Sequence, residues 1–313
     1  MKFRVIFIKK KNLFYIIPVI LIILILSFLI YRNFFYISSP TFANVLEDKT
    51  LKSDLNGDGL DDKLYIKHSG NRYFIKAKIK EKTYTLSTDE KQNTLSNYYP
   101  YWPLRITILD VSRNKVPEIF LQGSWGKNSL QRFFVFDGHK FKNIFSSSNN
   151  ILGFVDCTNN RTPKIITGRL HDGSMLLTNY IFTNYRFENY NLDNTETFAG
   201  NDTICSFVNF IESLPGSHSY IPPNVFSPNI SNDDMYLIDK LANLNNTYVF
   251  QDAFFMEKKC DNHGNISELS WTLNFKGIPN SDNTSAKNYT LNLILAPDNS
   301  KNNSSKFKII SMY

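Results

Sequence analysis

The amino-acid sequence predicts a mainly β protein in which three repeated β-sheets precede a small α+β domain, with one transmembrane helix near the N-terminus. Three observations lead to this prediction. Residues 13–31 form an almost continuous apolar run, three segments that start with Asp lead into short strands, and the region after residue 199 carries two helical and then four strand patterns. Since 42% of the 313 residues are hydrophobic and 20% are charged, the composition excludes a disordered or disulfide-dense chain.

The apolar run 13–31 is long enough to span a bilayer. Only Pro18 and Ser27 interrupt it, it carries no charge, and as a helix it covers roughly 30 Å. Five cations precede the run and one follows it. The positive-inside rule therefore places residues 1–12 in the cytoplasm and the body outside, as a single-pass plasma-membrane protein with residues 32–47 as a linker. A cleaved signal peptide is the alternative, but its apolar stretch spans only ~7–15 residues, which favours an uncleaved anchor.

The formal charge of +7 is concentrated at this end of the chain. Six basic residues precede the first acid, Glu47, and without them 29 basic and 28 acidic residues leave a charge of +1. A near-neutral body lacks the basic face that nucleic-acid binding requires. The sequence therefore excludes nucleic acid as the partner.

Three segments share one pattern, an Asp followed by polar residues at alternate positions and then a strand. They are 54–62, 110–118 and 156–164, and they lead into the strand patterns 63–66, 119–121 and 165–167. The leading aspartates are 56 and 46 residues apart, a length that suits one sheet of four short strands per repeat. Asp137-Gly138 between two aromatic runs indicates a hairpin in the second repeat. Residues 48–198 are therefore predicted to form a repeat domain.

The first of these loops has the composition of a calcium site. Its predicted ligands are the side-chain oxygens of Asp54, Asn56, Asp58 and Asp62 and the backbone carbonyl of Leu60. Oxygen ligands at this density favour calcium over zinc, and Gly57 and Gly59 let the chain curl. An EF-hand begins in the same way but needs a carboxylate at position 12, where this sequence has Tyr65. A polar turn that binds no metal is the alternative.

The other two loops have fewer carboxylates. The ligands of a weaker second metal site are Asp110, Ser112, Asn114, the carbonyl of Val116, and Glu118. The third loop keeps Asp156, but Lys164 replaces the final acid. An internal pair between Asp156 and Lys164 is expected there in place of a metal. Calcium affinity should therefore fall from the first loop to the third.

The Asp-x-Asn-Gly-Asp-Gly-x-x-Asp loop and its two altered copies resemble the FG-GAP and VCBS repeats of integrin-type β-propellers, over residues 45–195. The resemblance implies four-stranded blades with structural calcium in the intact loop, and a role in adhesion or ligand binding at a cell surface. Three blades are fewer than the four to eight of a closed propeller. The expected fold is thus a partial β-propeller-like array capped by the C-terminal domain. Alternatively, that domain or another chain supplies the missing strands.

Residues 199–313 are predicted to form the α+β domain. Helical spacing covers 203–214 and 235–244, with Asn232-Asp233-Asp234 as the N-cap and acidic first turn of the second helix. The four strand patterns are 248–258, 267–275, 289–295 and 307–312. This order of elements is loosely similar to cystatin-type and nuclear-transport-factor-like accessory domains.

The chain has three cysteines, Cys157, Cys205 and Cys260. In an extracytoplasmic body one pair can be oxidised. The pair Cys205–Cys260 is favoured because both residues lie in the C-terminal region. Three free thiols are the alternative.

No catalytic motif stands out: the five histidines are scattered and no nucleophile or phosphate-loop signature is present. The sequence therefore predicts no catalytic residues and a non-enzymatic role, binding or scaffolding at a bacterial cell envelope toward an envelope protein or polysaccharide. Aromatic residues around the second repeat, among them Trp102 and Trp125, either stack on carbohydrate or pack within the sheets. An envelope enzyme acting on glycan and a membrane-tethered sensor are the alternative functions.

Overall fold

The computed structural model describes residues 18, 20–25, 27, 41–88, 95–157, 163–189, 198–217, 220–281, 285–298 and 307–313. The chain divides into two compact units, Met1–Ser39 and Pro40–Tyr313. In the first unit the described residues are helical, and the rest of the predicted transmembrane segment 13–31 lies outside the described residues. Among the residues described, no helix is both long and apolar enough to cross a membrane.

The structure confirms the prediction of a mainly β protein, with 55% of the described residues in strands and 13% in helices. Its strands form a four-stranded, a five-stranded and an eight-stranded sheet. Over the described ranges these sheets do not close into a propeller.

The first sheet is the antiparallel meander predicted for the first repeat. Its strands, in the order β2-β3-β4-β5, are β2 (Lys49–Ser53), β3 (Asp62–Ser69), β4 (Arg72–Ile79) and β5 (Lys82–Thr85). Buried and exposed residues alternate along β4, which shows that one face of this sheet contacts solvent and the other the core.

The second sheet contains the second repeat and one strand from the N-terminal end of the unit. Its order is β1-β6-β7-β8-β9, with β1 (Thr41–Val45), β6 (Leu104–Leu109), β7 (Glu118–Trp125), β8 (Asn128–Phe136) and β9 (Phe141–Ser147). The hairpin at Asp137-Gly138 joins β8 to β9 as predicted, and Gly138 has the left-handed φ of 86° that such a turn requires. Strand β1 lies within the predicted linker 32–47, so part of that segment belongs to the folded body.

The third sheet joins the third repeat to the C-terminal strands. The repeat contributes β10 (Ile151–Val155), β11 (Lys164–His171), β12 (Ser174–Thr183) and β13 (Arg186–Asn189). The C-terminal strands are β14 (Asn246–Cys260), β15 (Ile266–Pro279), β16 (Lys287–Pro297) and β17 (Phe307–Met312). The two halves meet where β10 pairs with β14 in parallel. The predicted division between residues 198 and 199 therefore falls inside one compact unit.

Two helices connect these halves, α1 (Asn201–Glu212) and α2 (Asn232–Asn243). Both predicted helices are present. The N-cap of α2 is Ser231, whose hydroxyl accepts a hydrogen bond from the Asp234 amide at 3.0 Å, and Asp233 and Asp234 lie in the acidic first turn. The cap therefore lies one residue before the predicted one, because a Ser hydroxyl reaches the amide three residues on.

The sheets pack face to face in the order in which they occur along the chain. Alternate residues of β7 lie on opposite faces of the second sheet. Ile119 and Leu121 belong to the core shared with the first sheet, and Phe120 belongs to the core shared with the third sheet. Seven of the eight residues of β7 are buried, so the second sheet is covered on both faces. The opposite face of the third sheet packs against the helices, where Phe207 shares a core with Trp271.

Candidate functional site

The three Asp loops occupy equivalent places in the fold. Each connects the first and second strands of a repeat: residues 54–61 join β2 to β3, 110–117 join β6 to β7, and the third loop joins β10 to β11. Of the third loop, residues 158–162 lie outside the described residues. The placement of every loop directly before a strand is as predicted from the sequence.

In the first loop, backbone amides surround the leading carboxylate. Asp54 accepts hydrogen bonds at 2.7 Å from the amides of both Gly57 and Gly59, and at 3.2 Å from the Asp58 amide. The last acid of the loop, Asp62, accepts from the Leu55 amide at 3.0 Å. The two buried carboxylates thus hold the loop closed from its two ends.

The second loop reproduces most of this geometry. Asp110 accepts from the amides of Asn114 at 3.1 Å and Lys115 at 2.8 Å, which correspond to the bonds from Asp58 and Gly59 to Asp54. Glu118 accepts from the Val111 amide at 2.9 Å, as Asp62 does from Leu55. The equivalence shows that the two loops are copies of one structural unit, although only the Asp at the first position is shared in full.

Backbone conformation follows the same pattern. The fourth and sixth positions are left-handed in both loops, with φ of 78° and 84° at Gly57 and Gly59, and 55° and 76° at Arg113 and Lys115. Glycine adopts this region without a steric penalty, whereas Arg and Lys do not. The second loop keeps the fold of the first at a cost in backbone strain, because its hydrogen bonds hold the same shape.

The first loop carries the oxygen donors that the sequence predicted for a cation, but the ligand atoms of Asp54, Asp58 and Asp62 do not all lie within 4.8 Å of one another in the structure. Burial raises the pKa of Asp62, and the charges of Asp58 and Asp54 raise it further, so the two neighbouring carboxylates disfavour the ionisation of Asp62. A cation would relieve this repulsion. In the structure the Lys80 ammonium lies 3.0 Å from the Asp58 carboxylate. Metal binding would therefore displace Lys80 and break some of the hydrogen bonds that backbone amides donate to Asp54.

The third loop is completed by a residue that the sequence did not indicate. Lys164 stands where the other loops have their final acid, and the matching hydrogen bond from the amide of Cys157 goes at 2.6 Å to Glu257 of β14. Glu257 also accepts from the Asp156 amide. The charge of Lys164 lies close enough to oppose the rise that burial causes in the pKa of Glu257. A carboxylate distant in sequence thus takes the place of the missing acid.

The Asp156 side chain pairs with Arg113 of the second loop, where the sequence led us to expect Lys164 as the partner. Arg113 can reach it because the second and third loops lie at the same end of neighbouring sheets. This ion pair therefore connects consecutive repeats through their loops.

The disulfide is Cys157–Cys260, and Cys205 is a free, half-buried thiol. The preferred pair Cys205–Cys260 was wrong, and so was the alternative of three free thiols. Cys205 lies on α1, among residues that pack against the helix-side core, while Cys260 ends β14 next to the third loop. Proximity along the chain gave no information about this pairing, which depends on the parallel contact of β10 with β14.

Among the described residues, Cys157, Glu257 and Cys260 are the one group of three His, Cys, Asp or Glu side chains whose ligand atoms lie within 4.8 Å of one another. Both sulfur atoms belong to the disulfide, and Glu257 accepts two backbone amides. This group is therefore a structural clasp between the third loop and β14.

A row of polar side chains crosses the second sheet and faces the third. The row consists of successive cross-strand partners, Asn44, Arg105, Gln122, Gln131 and Ser147. Its three central members are buried. Gln122 donates to the Ala253 carbonyl at 3.0 Å, and Gln131 donates to the Ile151 carbonyl at 2.8 Å. The row therefore fixes the second sheet to β14 and β10 by directional bonds inside an otherwise apolar contact.

Arg105, in this row, forms a buried ion pair with Asp252 of β14 at 3.3 Å, with side chains 5% and 1% exposed. Asp252 also accepts from the Trp102 indole at 2.6 Å and from Asn274 at 3.0 Å. Trp102 thus packs inside the body, whereas Trp125 is 42% exposed with Arg132 over its ring.

Comparisons with known proteins find no matching family model, no matching curated protein and no matching solved structure.

Proposed function

We propose that this chain is a membrane-anchored, extracytoplasmic binding or scaffolding protein of the bacterial cell envelope, in which calcium stabilises a propeller-like repeat domain. The observation that supports it best is the matching hydrogen-bond pattern of the first two Asp loops. Repeated loops of this kind, each between the first two strands of a four-stranded meander, are the feature that the chain has in common with FG-GAP and VCBS repeats.

The finer fold that we propose is an open, partial propeller. The three meanders pack successively through shared cores, as neighbouring blades do. The helices cover the face of the third meander on which a fourth blade would otherwise pack, and the C-terminal strands extend the same sheet beyond β10. In this arrangement the C-terminal region ends the array, and the exposed face of the first sheet is its other end.

Calcium binding to the first loop is expected to raise the melting temperature of the full-length chain. A ligand present at about 100 times its dissociation constant contributes about 2.7 kcal/mol to folding. The Asp58→Ala variant should lose this increase, since it removes one of three carboxylates from the donor set. Differential scanning calorimetry with calcium and with chelator measures both effects.

Asp61→Ala is the matched control for this experiment. Asp61 is exposed in the same loop and carries the same charge, but it is not a member of the donor set. The variant should keep the calcium-dependent increase. Equal losses in Asp58→Ala and Asp61→Ala would indicate a general effect of negative charge and would contradict the proposed site.

Binding is favoured over catalysis by the exposure of the carboxylates in a polar cleft where the second sheet, the third sheet and α1 meet, which is where we would place the active site of a glycan enzyme. Asp172 and Glu212 both line it, and both are solvent-exposed. A glycosidase needs one protonated carboxyl, and burial in an apolar pocket is what keeps such a group protonated. We therefore propose a non-enzymatic partner, an envelope protein or polysaccharide.

The proposed topology has a direct test in spheroplasts that express the full-length chain. A C-terminal epitope tag should be digested by added protease, while an N-terminal tag should stay protected until the membrane is lysed. Protection of both tags before lysis would contradict the extracytoplasmic location. Loss of the C-terminal fragment into the medium without protease would contradict the uncleaved anchor.

A further inference from the structure

A polar cleft with a cavity volume of about 340 Å³ lies where the second sheet, the third sheet and α1 meet. This volume is at the lower end of the ~300–1,000 Å³ that is usual for small-molecule sites. Most of its lining is polar, including amide, hydroxyl and charged side chains such as Asn128, Ser129, Asn209, Lys127, Arg169 and Gln251. A ligand for this cleft must therefore offer many hydrogen-bonding groups.

Gln251 is the feature that points to a ligand. It is the extra residue of a β-bulge in β14, since Phe250 pairs with Phe275 and Asp252 pairs with the adjacent Asn274. Its side chain is 3% exposed, yet neither the amide nitrogen nor the amide oxygen has a hydrogen-bond partner among the described residues. Bulges occur often beside functional sites, where they redirect a side chain. A buried amide with both groups unpaired is costly unless something else satisfies it.

The cleft carries side chains of both charges. Each acidic side chain has a nearby partner: the Asp172 carboxylate lies 3.0 Å from Nδ1 of His171, and Glu212 accepts a hydrogen bond from the Phe250 amide at 2.7 Å. Lys127 and Arg169 are exposed, and neither makes an ion pair with any residue in the part of the chain that the structure describes. The cleft therefore combines two unpaired cations at its edge with an unpaired amide in its wall.

We propose that this cleft binds a carboxylate-bearing sugar, a uronic acid unit of an envelope polysaccharide. The sugar's carboxylate pairs with Arg169 and Lys127, and its hydroxyl groups donate to and accept from the Gln251 amide and the neighbouring Asn side chains. This inference deepens the proposed binding function and rests on it, because it names the ligand class of an extracytoplasmic protein.

The test is calorimetric titration of the full-length chain with glucuronic acid, glucose and acetate. We expect glucuronic acid to bind at least about tenfold more tightly than either of the other two, a difference of about 1.4 kcal/mol. Arg169→Gln should remove the preference over glucose, and Gln251→Leu should weaken binding of the acid about tenfold. Equal affinity for acetate would indicate a simple anion site and overturn the proposal, as would equal affinity for glucose.

The melting temperature of Gln251→Leu separates a ligand-binding role from a structural one. If the amide serves only a ligand, Leu of similar size leaves the melting temperature unchanged or raises it. Gln131→Leu is the matched control, since the Gln131 amide donates to Ile151 and accepts from Ser147, and this variant should melt at a lower temperature. A lower melting temperature in Gln251→Leu with unchanged glucuronic acid binding overturns the inference. The proposed function is retained in that case if calcium still raises the melting temperature of the wild-type chain and the C-terminal tag is still digested in spheroplasts.

Discussion

Replacing either member of the buried Arg105–Asp252 pair should destabilise the protein by about 3–5 kcal/mol, because the remaining charge is left buried without its partner. The pair lies between the second and third sheets with almost no solvent contact, and Asp252 also accepts hydrogen bonds from Trp102 and Asn274. The variants are Arg105→Met and Asp252→Leu. Urea unfolding of the full-length chain measures the change in the free energy of unfolding.

The double variant shows whether the charges or the packing carry this effect. Because Met and Leu bring no charge into the interior, the double variant should lose much less than the sum of the two single losses. Lys142→Met is the control, since it breaks the exposed pair of Lys142 with Asp137 and should cost only about 0–1 kcal/mol. Additive losses in the double variant would show that the two side chains act independently, contrary to this account.

The sequence was sufficient to predict most strands and both helices. The aromatic runs around Asp137-Gly138 follow a local rule for hairpins, so β8 and β9 lie where they were predicted. Strand β1 was missed because its existence depends on pairing with β6. Strands β2, β6 and β10, which precede the three Asp loops, were not predicted either. A strand of five residues at the edge of a sheet has no local signal strong enough to distinguish it from a linker.

The residues that close the three Asp loops also differ in how far apart they lie in the sequence. Asp54 and Asp110 could be recognised because the residues that close each loop are near in sequence. Glu257 could not, since it completes a loop that begins 101 residues earlier. The buried polar row was missed for a related reason. Arg105 and Gln122 occur in strands whose other residues are mostly apolar, and only the packing of the two sheets shows that both side chains face β14 of the third sheet.

Gln251 illustrates a third kind of information that the sequence lacks. Its significance comes from the bulge in β14 and from the absence of a partner for its amide among the described residues. Neither can be derived from residue type or spacing, because a Gln in a strand is ordinarily a solvated side chain. The chemistry of this cleft therefore depends on the tertiary structure, whereas the proposed calcium ligands of the first Asp loop can all be named from nine consecutive residues.

Removing the disulfide should cost about 2–5 kcal/mol, since the bond between Cys157 and Cys260 closes a loop of 103 residues and restricts the unfolded chain accordingly. The variant is the Cys157→Ser, Cys260→Ser pair, measured by urea unfolding without reductant. The bonds from the loop to Glu257 remain in this variant, so the native arrangement should persist with lower stability. A fall in the melting temperature without a change in the calcium effect is expected, because the first loop lies in another sheet.

Cys205→Ser is the control for this pair, because its thiol is free and burial raises its pKa to about 11. It should change stability by much less than the double variant, and it should abolish alkylation of the denatured, unreduced chain. The wild-type chain should then show one reactive thiol before reduction and three after it. Three reactive thiols before reduction would contradict the clasp, and the connection of the third loop to the end of β14 would then depend on the hydrogen bonds to Glu257.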